Sequence, residues 1–280
     1  MVASNRGPVE FHEMDDGSLE GRRGAGGLVS TLLPIMETVK GTWIASTMTL
    51  GDKVAAERFP DGRVPVPEDE PKFWVPFVSV DPPSYEDYYS VISNPLLWFV
   101  QHYMWNPPYT PEIDDKIHKA WKNGYVHVNK RFADKVVEES KLNEKEALII
   151  LQDYHLYLCP AYIREKLEDN FLSQFIHIPW PQPEYFCILP DYMKEAIVTG
   201  LLSNDIVGFH IEKYVKNFLR TCEDYADHVD FESNTVNYKG REILVKSYPI
   251  SVDYDGLEEL SRTEEVLKKE KTIHEIKGDS

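Results

Sequence analysis

The chain has 280 residues, 42% of them hydrophobic, and a formal net charge of −17. That length suits one large domain with a sizeable core, and that charge repels nucleic acid and anionic membrane surfaces at long range, so neither is expected as a partner. A small anion held by a local basic cluster is not excluded.

The three cysteines, Cys159, Cys187 and Cys222, are widely spaced and form no CxxC pair, so neither a disulfide framework nor a zinc knuckle is suggested. A reducing cytosol fits them. No hydrophobic run reaches the roughly eighteen residues of a membrane span, and the amino terminus lacks a basic region followed by an apolar one. The expectation is a soluble, unexported, cytoplasmic protein.

Residues 1–4 read as the tail of a strand whose earlier residues are absent, and the carboxyl end is similarly abrupt. Residues 5–23 form a polar, glycine-bearing loop long enough to carry function. In GAGGLVSTLLPIMETVKG, Gly26 and Gly27 precede Leu28, Leu32, Leu33 and Met36, whose spacing predicts a helix with the glycines at its amino terminus. Pro34 tightens or bends that helix.

TWIAS (42–46) and FWVPFVSV (73–80) are strand candidates, separated by a charged, proline-rich surface segment over 57–72. YEDYYSVISNPLLWFVQHY (85–103) is aromatic-rich and helical, and Asn94-Pro95 is expected to divide it, because proline disfavours helix at the residue before it. Ile117, Trp121, Val126, Val128, Phe132 and Val136 mark a long amphipathic helix over 113–140.

The densest stretch follows, ALIILQDYHLYLCPAYIREKLEDNFLSQFIHIPWPQP (147–183). Residues 147–151 and 174–178 have the length and composition of strands buried on both faces, with a helix over 160–169 between them. Strand, helix, strand is a βαβ unit, so the two strands lie parallel and end on one edge. Asp153 and His155 follow the first strand and His177 closes the second, which brings all three to the carboxyl edge where open α/β sheets bind ligands.

Residues 183–190 then connect to a helix over 191–202. A short strand over 205–209 leads through His210 into a helix over 211–225, and 235–238 with 242–247 flank Lys239-Gly240-Arg241 as a β-hairpin near the carboxyl end. The alternating order predicts an α/β, Rossmann-like, doubly wound, mostly parallel sheet. It spans 1–255, with a charged, helix-prone tail or linker over 256–280.

Glycines before a helix let a backbone approach phosphate, where free N–H groups and the helix dipole favour negative charge. GAGG is neither GxGxxG nor a P-loop, so a flexible glycine pair and an anion site both remain open. Arg6, just beyond the first strand's carboxyl end, is placed to hold phosphate in paired hydrogen bonds; Arg22 and Arg23 read as surface charge. Asp153 and His155 could form a D-x-H metal pair or a base with its partner, but no third ligand stands at recognisable spacing. His177, between Ile176 and Ile178, is either a hydrogen-bonded core residue or a cleft residue fixed by the rigid PWPQP that follows. Tyr88, Tyr89 and Trp98 suit core packing and also suit stacking on a sugar.

SNRGPV, GAGGLVSTLLP, YYSVISNPLLWFVQHY, QDYHLYLCP, HIPWPQPEYFCILP, GLLSNDIVGFH and YPISVD occur in the order in which trehalose-phosphate synthases carry them. The resemblance covers nearly all of 1–253. It implies a retaining GT-B glycosyltransferase, of which this chain resembles the amino-terminal, acceptor-binding lobe, the carboxyl-terminal donor-binding lobe being absent. In that family glucose passes from UDP-glucose to glucose 6-phosphate, giving trehalose 6-phosphate and UDP.

By matching motif, Arg6 would hold the acceptor phosphate, and Tyr89, Trp98 and Asp153 would line the acceptor sugar. Gly26 and Gly27 would approach the donor diphosphate, and His177 would contact the donor glucose near the reacting carbon. Asp153 and His177 are thus the catalytic candidates. No metal or other cofactor is implied, since the departing diphosphate assists deprotonation of the attacking hydroxyl. A homo-oligomer is compatible with the sequence.

Two residues depart from the family pattern. Trp43 is followed by Ile44-Ala45-Ser46 where a second tryptophan is usual, which opens acceptor identity to glycerol 3-phosphate, and Gln152 replaces the usual histidine before Asp-Tyr-His-Leu. A non-catalytic sugar-phosphate-binding lobe is the alternative from another class.

Overall fold

The computed structural model describes residues 1–24, 26–59, 61–105, 112–142, 147–252 and 254–277. Ala25 and Asp253 of the motifs above, and the end of the expected tail at 278–280, lie outside them. In chain order the strands are β1 (Val2–Ser4), β2 (Val9–Glu13), β3 (Leu19–Arg23), β4 (Trp43–Ser46), β5 (Arg63–Val66), β6 (Phe73–Val78), β7 (Ile149–Gln152), β8 (Leu172–Phe175), β9 (Ile206–Phe209), β10 (His228–Asp230), β11 (Thr235–Tyr238) and β12 (Arg241–Ser247).

Ten of them form one sheet in the order β10-β11-β12-β9-β8-β7-β1-β4-β6-β5. From β12 to β6 every neighbour is parallel. β5 closes one edge antiparallel to β6, and the β11–β12 hairpin with β10 closes the other. The chain starts at β1 in the middle, builds β4 and β6 on one side, then returns to β7, β8, β9 and β12 on the other. That reversal between β1 and β7 is a topological switch point, and its crevice opens at the strands' carboxyl ends.

The larger core joins Leu151, Leu172 and Val207 of the sheet to Ile92, Phe132, Ile163, Ile197 and Phe218 of the covering helices. A smaller core on the other face joins Val2, Trp43, Ala45 and Phe77 to Met36 of the helix Gly27–Val39. Trp43 and Trp180 are fully buried, and a large side chain so buried contributes about 2–3 kcal/mol.

Residues 5–23 are not a plain loop: β2 and β3 pair antiparallel as a hairpin. Val9, Phe11 and Leu19 alternate with charged residues, and Phe11 packs edge-on against Phe77 at 6.3 Å. A helix, Leu50–Arg58, then grips the hairpin. Thr49 and Asp52 form its capping box, and the Phe11 N–H donates to Asp52 Oδ1 at 2.8 Å. The segment over 57–72 is likewise not all surface loop, for it supplies β5, whose Pro65 is tolerated because the strand is an edge.

Asn94-Pro95 does not divide the helical stretch. Residues 82–101 run as one helix, α-helical over Pro82–Glu86, π-helical over Asp87–Trp98 and α-helical over Phe99–Gln101. Widened π turns move the carbonyl that a proline ring would strike in an α-helix, and the Ser93 hydroxyl donates to Tyr88 O at 2.7 Å. The next helix, over 115–141, is continuous as expected but has its own π segment, Trp121–Val126. The two π segments meet at Gly124, where a Cβ would lie 2.4 Å from the Tyr88 nitrogen.

In the central unit β7 and β8 are parallel, as a βαβ crossover requires. The helix between them is shorter than expected, Cys159–Arg164, and the Arg164 guanidinium folds the following chain back by donating to Glu168 O and Asn170 O at 2.6 and 2.7 Å. The second strand ends earlier than expected, at Phe175, so His177 stands beyond it. The connector at 183–190 holds a helical turn, Pro183–Phe186, before the helices Asp191–Leu201 and Glu212–Cys222. By contacts the chain divides into two compact units, Met1–Tyr248 and Pro249–Ser280; the second contains the helices Tyr254–Ser261 and Glu264–Lys277. Among the described residues no helix is long and apolar enough to cross a membrane.

Candidate active site

The exit of β1 is tied down residue by residue. Buried Trp43 donates its indole N–H to Ser4 Oγ at 2.8 Å, and Ser4 Oγ donates to Arg6 O at 2.6 Å. Asn5 is buried, and its Oδ1 accepts from Ser46 Oγ at 3.1 Å and from the Tyr85 hydroxyl at 3.2 Å. Ser46 is therefore spent on fixing this loop. With its neighbours anchored, Arg6 is turned outward, and its Nη2 lies 3.4 Å from the Tyr89 hydroxyl. That contact raises the Arg6 pKa. Burial pushes the Tyr89 phenol up, but hydrogen bonding to Asn94 and the charge of Arg6 more than offset it and leave it lowered.

The exit of β7 carries Asp153 with φ 69° and ψ 176°, a backbone region that side chains other than glycine adopt only when the surroundings force it. Three hydrogen bonds do so. Asp153 N–H donates to Phe175 O at 2.7 Å, Gln174 Nε2 donates to Asp153 O at 3.0 Å, and the His177 N–H donates to Asp153 Oδ1 at 3.1 Å. Its side chain is 19% exposed. Burial pushes the carboxyl up to about 7, against the pull of backbone N–H bonds from His177 and Tyr154. His155 Nδ1 is 4.0 Å from Asp153 Oδ2, yet burial, followed by the charge of Arg6, drives its pKa down to about 3. The neutral ring stacks on Tyr89 at 5.7 Å and 12°, and Tyr89 stacks in turn on Tyr85 at 5.8 Å and 15°.

Beyond β8, His177 Nε2 lies 2.8 Å from Gln152 Oε1 at the end of β7. Its ring meets Phe175 edge-on at 4.8 Å and His210, from the end of β9, at 5.6 Å. Burial, with His210 adding to it, lowers the His177 pKa to about 4. Arg6, Tyr89, Asp153 and His177 thus gather at the carboxyl ends of β1, β7 and β8, around the switch point.

Trp98 and the glycines do not join that cluster through any contact among the described residues. The Trp98 ring is stacked on His102 at 4.0 Å and lies edge-on to Phe99 at 5.4 Å. Gly26 is the N-cap of Gly27–Val39 with φ 118°, and no side chain caps it. Its neighbour Gly24 ties this helix start to the β1 exit, donating its N–H to Pro8 O at 2.8 Å. Both Gly26 and Gly27 are exposed, and a Cβ added at either meets nothing within 4 Å.

Sequence reasoning did not single out Asn94, whose Oδ1 accepts from the Tyr154 hydroxyl at 2.7 Å, nor the contact of Gln152 with His177. Gln152 stood out in the sequence only as a departure from the family pattern immediately before Asp153, with nothing to point to His177. The cluster sets one permanent cation, a carboxyl that titrates near neutrality and uncharged imidazoles on an open sheet edge. Such a set can bind a phosphorylated polyhydroxyl compound. A cavity of about 760 Å³ lies elsewhere, lined by Arg164, Lys239 and Arg241. Among the described residues no group of three or more His, Cys, Asp or Glu side chains is arranged to hold a metal ion.

The model for glycosyltransferase family 20 matches residues 1–280. The trehalose-6-phosphate synthase of Mycobacterium avium is 30% identical over 287 residues, covering 100% of this chain and 54% of its own length. The alpha,alpha-trehalose-phosphate synthase (UDP-forming) of Candida albicans is 28% identical over 290 residues, covering 99% and 54%. The chain spans about half the length of the curated relatives it matches. Among solved structures, one from E. coli described as bound with UDP-2-fluoro glucose aligns with a TM-score of 0.72 and 23% identity over 94% of this chain and 51% of that one. The alpha,alpha-trehalose 6-phosphate synthase of Burkholderia multivorans aligns at 0.71 and 22%, over 96% and 54%. These likenesses establish the fold, a Rossmann-like lobe of the GT-B type.

Proposed function

The chain belongs to glycosyltransferase family 20, and from that premise we propose that it is the acceptor-binding lobe of a retaining glucosyltransferase that moves glucose from UDP-glucose to glucose 6-phosphate, giving trehalose 6-phosphate and UDP. The observation that carries this reading is the gathering of Arg6, Tyr89, Asp153 and His177 at the carboxyl edge beside the β1–β7 switch point.

Arg6, exposed and always charged, takes the acceptor phosphate, with the Tyr89 hydroxyl beside it. Asp153, titrating near neutrality, accepts a hydrogen bond from a sugar hydroxyl in its ionised form. His177, neutral, meets the donor glucose, and the bare helix start at Gly26 and Gly27 meets its diphosphate. Trp98 is assigned to the rim of the acceptor sugar. In this reading the leaving diphosphate helps take the proton of the attacking hydroxyl, no metal is required, and the donor-binding lobe lies in the half of the relatives' length that this chain does not match. The enzyme is assigned to the cytoplasm.

Calorimetric titration of the chain with glucose 6-phosphate, against glycerol 3-phosphate, UDP-glucose and free glucose, tests the assignment. Saturable binding of glucose 6-phosphate is expected, and Arg6→Ala should cost about 1.5–3 kcal/mol of it, the worth of charged hydrogen bonds to phosphate. An unchanged affinity in Arg6→Ala would remove Arg6 from the site. Preference for glycerol 3-phosphate would replace the acceptor.

A further inference from the structure

Gln152 ends β7, is 3% exposed, and stands in register with Phe175 of the neighbouring strand. Its amide oxygen lies 2.8 Å from His177 Nε2. In a neutral imidazole one nitrogen carries the proton and the other offers a lone pair, and the partner of one decides the state of both. His177 Nδ1 makes no hydrogen bond to another described residue and is not among the sealed, unpartnered polar atoms.

We propose that Gln152 is the positioning residue for His177: its amide oxygen accepts from Nε2–H, fixes that tautomer, and leaves Nδ1 as a bare hydrogen-bond acceptor at the sheet edge. That this acceptor serves a hydroxyl of the transferred glucose rests on the function proposed above. The titratable groups facing His177 are His210 from the end of β9 and Asp153 from the end of β7, which holds the His177 backbone N–H. A histidine at 152, as the family pattern has, would set a second titrating ring against His177. The glutamine amide does not titrate, so the tautomer it imposes does not change with pH while His177 stays neutral.

The test is nitrogen-15 NMR of histidine-labelled chain, wild type beside Gln152→Leu and Gln152→Glu. Wild type should carry the His177 proton on Nε2 and exchange it slowly with water. Gln152→Leu should lose that slow exchange, and Gln152→Glu should keep the tautomer and raise the His177 midpoint by about one pH unit or more, because a nearby anion favours imidazolium. A proton on Nδ1 in wild type, or a His177 ring unaffected by Gln152→Leu, overturns the proposal. Leucine is close in size and apolar, so it keeps the fold testable if the buried glutamate does not. UDP-glucose that fails to move the His177 signals in the two-lobe enzyme would strike the donor role of His177 alone, since the tautomer is read in the chain without ligand.

Discussion

Asp153 combines a glycine-like backbone with a carboxyl that keeps its proton to about 7, against an ordinary 3.8. Between those values the folded chain binds more protons there than the unfolded one, so its contribution to stability is full below 3.8 and lost as pH rises through about 7. His155 and His177 act in the opposite sense. Their pKa values fall from 6.5 to about 3 and about 4, so their contribution is present above 6.5 and lost as pH falls through the lowered values. Asp153→Asn keeps the size of the side chain and the backbone strain but removes the titration. Melting temperatures from pH 4 to 8 should show the variant gaining on wild type as pH rises, with turnover of the full-length enzyme reduced. A gain that runs the other way, or a collapsed fold at every pH, would make Asp153 a structural acid. The position of this residue was legible, because a strand followed by Asp-Tyr-His must end at the ligand edge. Its strained backbone was not, since three hydrogen bonds from β8 and its exit impose it, and a sequence does not display register.

At the scale of elements, long periodic segments were readable and short or irregular ones were not. The helix Gly27–Val39 and the strands β7 and β9 carry their own apolar pattern. β2 and β3 hide theirs among charges and owe their order to Asp52 and Thr49 on another element, while the π turns at 87–98 and 121–126 answer to a contact between two helices that neither sequence shows alone. The helix start at Gly26 and Gly27 separates structure from function cleanly. Gly26 needs its φ of 118°, whereas Gly27 opens the helix itself and has open space around it. Gly27→Ala should therefore stabilise the chain, by up to about 1 kcal/mol from helix propensity. If the diphosphate approaches there, the same methyl should weaken UDP-glucose binding by the full-length enzyme. Chemical denaturation beside a donor titration reads both. Tighter folding with donor affinity unchanged would take the glycine pair out of the donor site.

At the scale of the molecule, the sheet exposes its chemistry along one edge, and the cavity lined by Arg164, Lys239 and Arg241 does not enclose it. Arg6 follows β1, Tyr89 lies on the 82–101 helix and Asp153 follows β7, so the acceptor side proposed above draws only on residues of this chain. The neutral His177 and the bare, exposed helix start, by contrast, bring no permanent cation of their own. A nucleotide diphosphate bound to them alone would stay largely in water, where each charged contact is worth little, and its developing negative charge would lack preorganised cations. The 280-residue chain should therefore bind glucose 6-phosphate but form almost no trehalose 6-phosphate from UDP-glucose. Adding the remaining half of a full-length relative should restore turnover with little change in acceptor affinity. A product assay on the chain alone, with the two-lobe enzyme as the positive control, decides it. Turnover by the chain alone within about tenfold of that control, a difference of only about 1.4 kcal/mol in the barrier, would mean that the donor site is complete in this lobe.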